Sequence, residues 1–78
     1  MSEFTDKMTY GEKAVGTHFN PSEQSDVAGI KLLFAEIIDV MDRLRNTSKG
    51  EQVRLASIAI TEAQTAQMWA VKALTWRD

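Results

Sequence analysis

From Val27 onward, apolar side chains recur at alternating steps of three and four: Val27, Ile30, Phe34, Ile37, Met41 and Leu44. This is the seam of an α-helix that packs along another helix, and it constrains the fold more than any other feature of the chain. Leu33, Ile38 and Val40 widen the stripe beyond one narrow seam. After a break at "NTSKGE", Ala56, Ala59, Ala63, Ala66, Ala70 and Ala73 repeat the same steps. Alanine at such positions lets two helix axes approach closely. The expectation is all-α: an antiparallel two-helix hairpin, with helix one over about 21–46 and helix two over about 48–76.

Boundary signals agree. Asn20 suits an N-cap, with Pro21 at the first helical position, and Glu23 and Asp26 complement the positive end of the helix dipole. Ser48 followed by Glu51 reads as a capping box for helix two. Residues 1–18 hold two of the four glycines and no sustained period, so they are expected to form a flexible tail in front of a hairpin domain over 19–78.

A hairpin of two helices, each of about 25 residues and roughly 37 Å, has little interior. The chain has 78 residues and no cysteine, so a disulfide cannot reinforce a small core. Leu55, Ile58, Ile60, Met68, Trp69, Val71, Leu74 and Trp76 fall outside the alanine stripe, and one partner helix cannot cover them all. Exposed together they exceed the apolar patch of an ordinary monomer, so a homo-oligomeric helical bundle is expected.

Several functions are disfavoured. The formal charge of -2 is a poor background for gripping long nucleic acid. No apolar run approaches the roughly 18–20 residues of a membrane span. The single histidine, His18, makes no metal centre alone and has no patterned nucleophile beside it. Glu36, Asp39 and Asp42 read as a solvated face, with Asp39 and Arg43 spaced for an i,i+4 ion pair. Gly11, Gly16, Gly29 and Gly50 fit neither nucleotide-binding glycine fingerprint. The chain is read as soluble and intracellular, not an enzyme, with no metal and no cofactor.

Three groups stay ambiguous at this level. Lys31, beside the apolar stripe, reads as a snorkelling lysine or as an anion contact. Phe19 reads as a hydrophobic staple or as a stacking residue. Met68, Trp69 and Trp76 read as packing or as a stacking platform.

The stretches "FNPSEQSDVAGIK", "AEIIDVMDRLR" and "RLASIAITEAQTAQMWAVKALT" resemble the helical-hairpin domain shared by phage anti-CBASS cyclic-oligonucleotide sponges and phage anti-Thoeris sponges. The resemblance runs from about Phe19 to Thr75 and is most specific at "FNPS", the "IK" of helix one and "MWAVKA". The chain departs from the family's "T-x-L-E-x-A" run, with Gln64 where the acid would fall. It also lacks the long insertion of some anti-Thoeris members, so cyclic ADP-ribose signals are not the expected ligands.

The resemblance implies homo-oligomers, often hexamers, that sequester cyclic oligonucleotide messengers in the cytoplasm of the infected bacterium without reacting with them. In that frame Phe19 stacks on a base, Asn20 and Pro21 shape the pocket lip, and Lys31 neutralises a phosphate of a cyclic dinucleotide. Tyr10 is the alternative aromatic. Lys72 and Thr75, with Arg54 as a further phosphate contact, are candidates for a cyclic trinucleotide pocket. The rival expectation is a structural or regulatory module that docks on another protein. A small DNA-binding regulator ranks third, against the acidic balance.

Overall fold

The computed structural model describes residues 9–16 and 25–77. They form three helices: α1 over Tyr10–Val15, α2 over Ser25–Asn46 and α3 over Glu51–Thr75. α2 and α3 are the two arms of the predicted hairpin. The start of helix one, with the expected cap at Asn20 and Pro21, lies outside the described residues.

α1 corrects the reading of a flexible tail over Tyr10–Val15; residues 1–8, 17 and 18 of that segment lie outside the described residues. Thr9 and Glu12 make a reciprocal capping box, the Glu12 N–H donating to Thr9 Oγ1 at 3.0 Å and the Thr9 N–H to Glu12 Oε1 at 3.1 Å. Gly16 ends the helix in the left-handed region at φ 68°. Six residues are fewer than two turns, too short to show a period in sequence and too short to persist alone. Docking on α2 holds them. The Gly11 N–H donates to Asp39 Oδ1 at 2.7 Å, and a Cβ on Gly11 would lie 2.1 Å from the Ala35 carbonyl oxygen. Only glycine lets the two helices approach this closely. Asp39, expected to pair with Arg43, is thus used to anchor α1.

The loop between the arms also differs from expectation. Thr47 closes α2, its hydroxyl donating to the Arg43 carbonyl at 2.9 Å. α3 starts only at Glu51, because Gly50 takes φ 67° and ψ -135° and turns the chain there; its carbonyl accepts from the Val53 N–H at 3.1 Å. No side chain caps this helix. The Ser48–Glu51 box does not form, and Glu51 pairs with Arg54 instead.

The inward faces are rotated from the predicted stripes. On α2 the buried line is Val27, Lys31, Ala35 and Ile38; on α3 it is Ala56, Ile60 and Gln67, with Ala63 half-buried. Ile37, expected in the seam, is 49% exposed, and Ala66 and Ala73 are exposed. The cause is geometric. Steps alternating three and four average less than 3.6 residues per turn, so between Ala56 and Ala73 the alanine stripe slips by about 100° around a straight helix.

The core is small. Ile38 is fully buried between Val15 of α1 and Ile60 of α3, with Ala35 beside it and Ala14, Phe34, Met41 and Ala63 around the edge. Burying such an aliphatic side chain contributes about 1.5–3 kcal/mol. Leu55, Ile58, Met68, Trp69, Leu74 and Trp76 remain exposed as expected, whereas Ile60 is buried and Val71 half-buried.

Replacing Gly11 with alanine should lower stability by about 1–3 kcal/mol, because the Ala35 backbone must give way. Gly29→Ala, whose Cβ meets nothing within 4 Å, should be neutral or stabilising by about 0.5–1 kcal/mol. Urea denaturation of both variants at one protein concentration reads the contrast in sign.

Candidate functional site

α1 builds the site by covering α2. Lys31 is 5% exposed, and its ammonium donates to the Gly16 carbonyl at 3.3 Å. The snorkelling reading does not describe this buried ammonium, whose Nζ turns to the carbonyl of Gly16, the C-cap of α1. A cation there complements the negative end of the α1 dipole. Gly16 immediately precedes the stretch "THFNPSEQ". The lysine charge is therefore held at the residue next in sequence to that stretch. Phe19, Asn20 and Pro21 themselves lie outside the described residues.

Tyr10 occupies the other end of α1. It is 43% exposed, with the Arg45 guanidinium 5.1 Å from its ring centroid. Arg45 in turn donates to Asp42 Oδ1 at 2.9 Å. Contact with Tyr10, and after it with Asp42, raises the guanidinium pKa above its ordinary value. Tyr10 and Gly16 are six residues apart, about 9 Å along α1. Within one chain Tyr10 and Lys31 therefore stand at opposite ends of this helix. Sequence reasoning passed over this aromatic–arginine–carboxylate tier. The readable signal was the Thr9–Glu12 capping box, which marks Tyr10 as the first residue of a helix and not part of a tail.

The second candidate group lies on the outer face of α3. The Lys72 ammonium is 5.9 Å from the ring centroids of both Trp69 and Trp76. Thr65, Met68, Trp69 and Lys72 line an open cleft of about 210 Å³. Trp69 and Trp76 are 67% and 63% exposed, so these rings are not packing within the protomer. Thr75 is half-buried and its hydroxyl donates to the Val71 carbonyl at 2.9 Å, so toward any other group its oxygen acts as an acceptor.

Arg54 belongs elsewhere. It sits in the first turn of α3, 18 residues from Lys72, or about 27 Å along the helix. Its Nε donates to Glu51 Oε1 at 3.0 Å. The hydrogen bonds from Arg54 lower the Glu51 pKa below the usual carboxylate value, and Glu51 raises that of Arg54. The structure thus brings Lys72 and Thr75 together and keeps Arg54 apart from them. Lys31 is at the same open end of the hairpin as Lys72, since Leu74 of α3 shares a cleft with Asp26 and Gly29 of α2.

Among the described residues, no buried side-chain nitrogen or oxygen lacks a hydrogen-bond partner, and no group of three His, Cys, Asp or Glu is placed to hold a metal. No helix among them is long and apolar enough to cross a membrane.

The family model described as the Acb2/Tad1 hairpin domain matches residues 12–75. The chain belongs to this family, that of the anti-CBASS and anti-Thoeris sponges. The match begins inside α1 and ends at the last residue of α3, so the short helix is partly within the domain. Comparisons with curated proteins and with solved structures returned no match.

The Glu51 carboxyl should titrate below an ordinary glutamate in NMR, and Arg54→Ala should return it toward that value. Because its folded-state pKa is depressed, whatever stability the pair contributes is present at neutral pH and is lost as pH falls through that lowered pKa.

Proposed function

We propose that the protein binds cyclic oligonucleotide second messengers between its own copies and holds them unreacted, so that CBASS effectors in the infected bacterium receive too little signal. Family membership supports this class of ligand. The observation that carries the reading is the buried Lys31 ammonium at the Gly16 carbonyl, next in sequence to Thr17 and the "FNP" that follows. A buried ammonium is costly unless it is well partnered.

In this reading Phe19 stacks on a base, Asn20 and Pro21 form the lip of the pocket, and Lys31 neutralises a phosphate of a cyclic dinucleotide. Lys72 and Thr75, flanked by two exposed tryptophans, suit the phosphates and bases of a larger ring such as a cyclic trinucleotide. Arg54 contributes only if a phosphate displaces Glu51. The shortest extent of the fold is 15 Å, too thin to enclose such a ligand within one protomer. A closed homo-oligomer, a hexamer by family resemblance, supplies the walls and repeats each cation by symmetry.

The rival reading, a module that docks on another protein, draws on the same exposed Met68, Trp69 and Trp76. Calorimetric titration with a panel of cyclic di- and trinucleotides separates the two, since docking predicts no heat from any of them. Lys31→Met, which keeps the apolar stem, should weaken cyclic dinucleotide binding by roughly 10- to 100-fold, the worth of a hydrogen bond to a charged group. The mass of the assembly should stay unchanged. Loss of the assembly, with no effect on affinity per site, would return Lys31 to a purely architectural role.

A further inference from the structure

Among the described residues two polar side chains are buried, Lys31 at 5% exposure and Gln67 at 7%. Lys31 has its partner in the Gly16 carbonyl. The Gln67 amide forms no hydrogen bond among the described residues, and because no sealed side-chain nitrogen or oxygen is left unpaired, that amide lies at an opening and not within the closed core. Burying its stem with donor and acceptor unused costs stability, and a methionine of the same length would fill the space without that cost. The packing of the hairpin gives no reason for a glutamine here.

Register puts the two residues at one level. Ile38 of α2 and Ile60 of α3 belong to the same buried cluster. In antiparallel arms Lys31, seven residues before Ile38, and Gln67, seven residues after Ile60, both lie about two turns toward the open end. A step of seven returns each to the inward line within about 20°. Val15 joins that cluster too, and Gly16, the next residue, accepts from the Lys31 ammonium. A cation and an amide with free hydrogen-bonding capacity thus share the level at which α1 ends.

The two groups offer different chemistry. An ammonium attracts a phosphate and does not discriminate between bases. A primary amide presents a donor and an acceptor side by side, which match the N7 and the N6 amino group of adenine in two parallel hydrogen bonds. Guanine presents two acceptors, O6 and N7, on the same edge, and the amide satisfies only one of them. We propose that Gln67 is the base-reading residue of the Lys31 site: with a phosphate at Lys31, its amide pairs with the edge of an adenine and selects adenine over guanine in the cyclic dinucleotide. This rests on the capture reading above and adds the base that the site prefers.

The test is calorimetric titration of the full chain with cyclic di-AMP and with cyclic di-GMP, for the parent, Gln67→Met and Gln67→Leu, beside urea denaturation of all three without ligand. The parent should bind cyclic di-AMP at least about tenfold more tightly than cyclic di-GMP, the worth of one bidentate pair. Both variants, which offer neither donor nor acceptor, should bring the two affinities to within about twofold of each other. Gln67→Met should unfold at the same urea concentration as the parent or a higher one, because no internal hydrogen bond is lost. Equal affinities or a guanine preference in the parent, an adenine preference that survives in the variants, or a Gln67→Met that is less stable than the parent would each overturn the assignment. No heat from either dinucleotide would overturn it together with the capture reading on which it rests.

Discussion

Ile38 is the point on which the fold depends. Fully buried at the middle of α2, it shares one buried cluster with Val15 of α1 and Ile60 of α3. Because α2 is a single rod, the packing that closes around Ile38 fixes the rest of its surface. One side receives α3, the next receives α1, and the remaining side, along Leu33, Ile37 and Val40, is left uncovered. A core of this size seldom supplies more than a few kcal/mol. The exposed apolar face of α2 is large beside so small a core.

The same arrangement explains the candidate site. α1 reaches its place through the Gly11 approach to Ala35 and the Asp39 bond to the Gly11 N–H. In that place the carbonyl of its C-cap, Gly16, accepts from Lys31, which sits one helical turn before Ala35. A packing decision at Gly11 thus sets the position of a charge some distance away. Tyr10 is carried to the opposite end of α1, where Arg45 and Asp42 hold it. Lys72 and its two tryptophans owe their exposure to the rotation of α3, which turns Ile60 and Gln67 inward and Met68 and Trp69 outward.

The hairpin was legible because two long runs at steps of three and four, separated by "NTSKGE", admit few other folds. Which line of each run faces inward was not, because a 3.5-residue seam and a 3.6-residue buried line coincide at Val27 and part by Ile37. The sequence contains both, and only packing tells them apart. α1 escaped notice for want of length, although Thr9 and Glu12 announced its start. Ser48 and Glu51 have the residue types of a capping box, but Gly50 bends the chain between them. At the site, the residue types at Lys31 and Lys72 were readable, whereas the burial of the one and the aromatic flanks of the other depend on which helix faces turn inward. The roles given to Phe19, Asn20 and Pro21 concern residues outside those described.

The central claim is capture without chemistry, and it is tested most directly by what comes back. A cyclic oligonucleotide is incubated with excess protein, the unbound fraction is filtered off, the protein is denatured by heat, and the released nucleotide is analysed by chromatography. The account predicts depletion of the filtrate and recovery of the ligand with its ring intact. A linearised or otherwise altered product, or a filtrate that loses nothing for any ligand of the di- and trinucleotide classes, would contradict it.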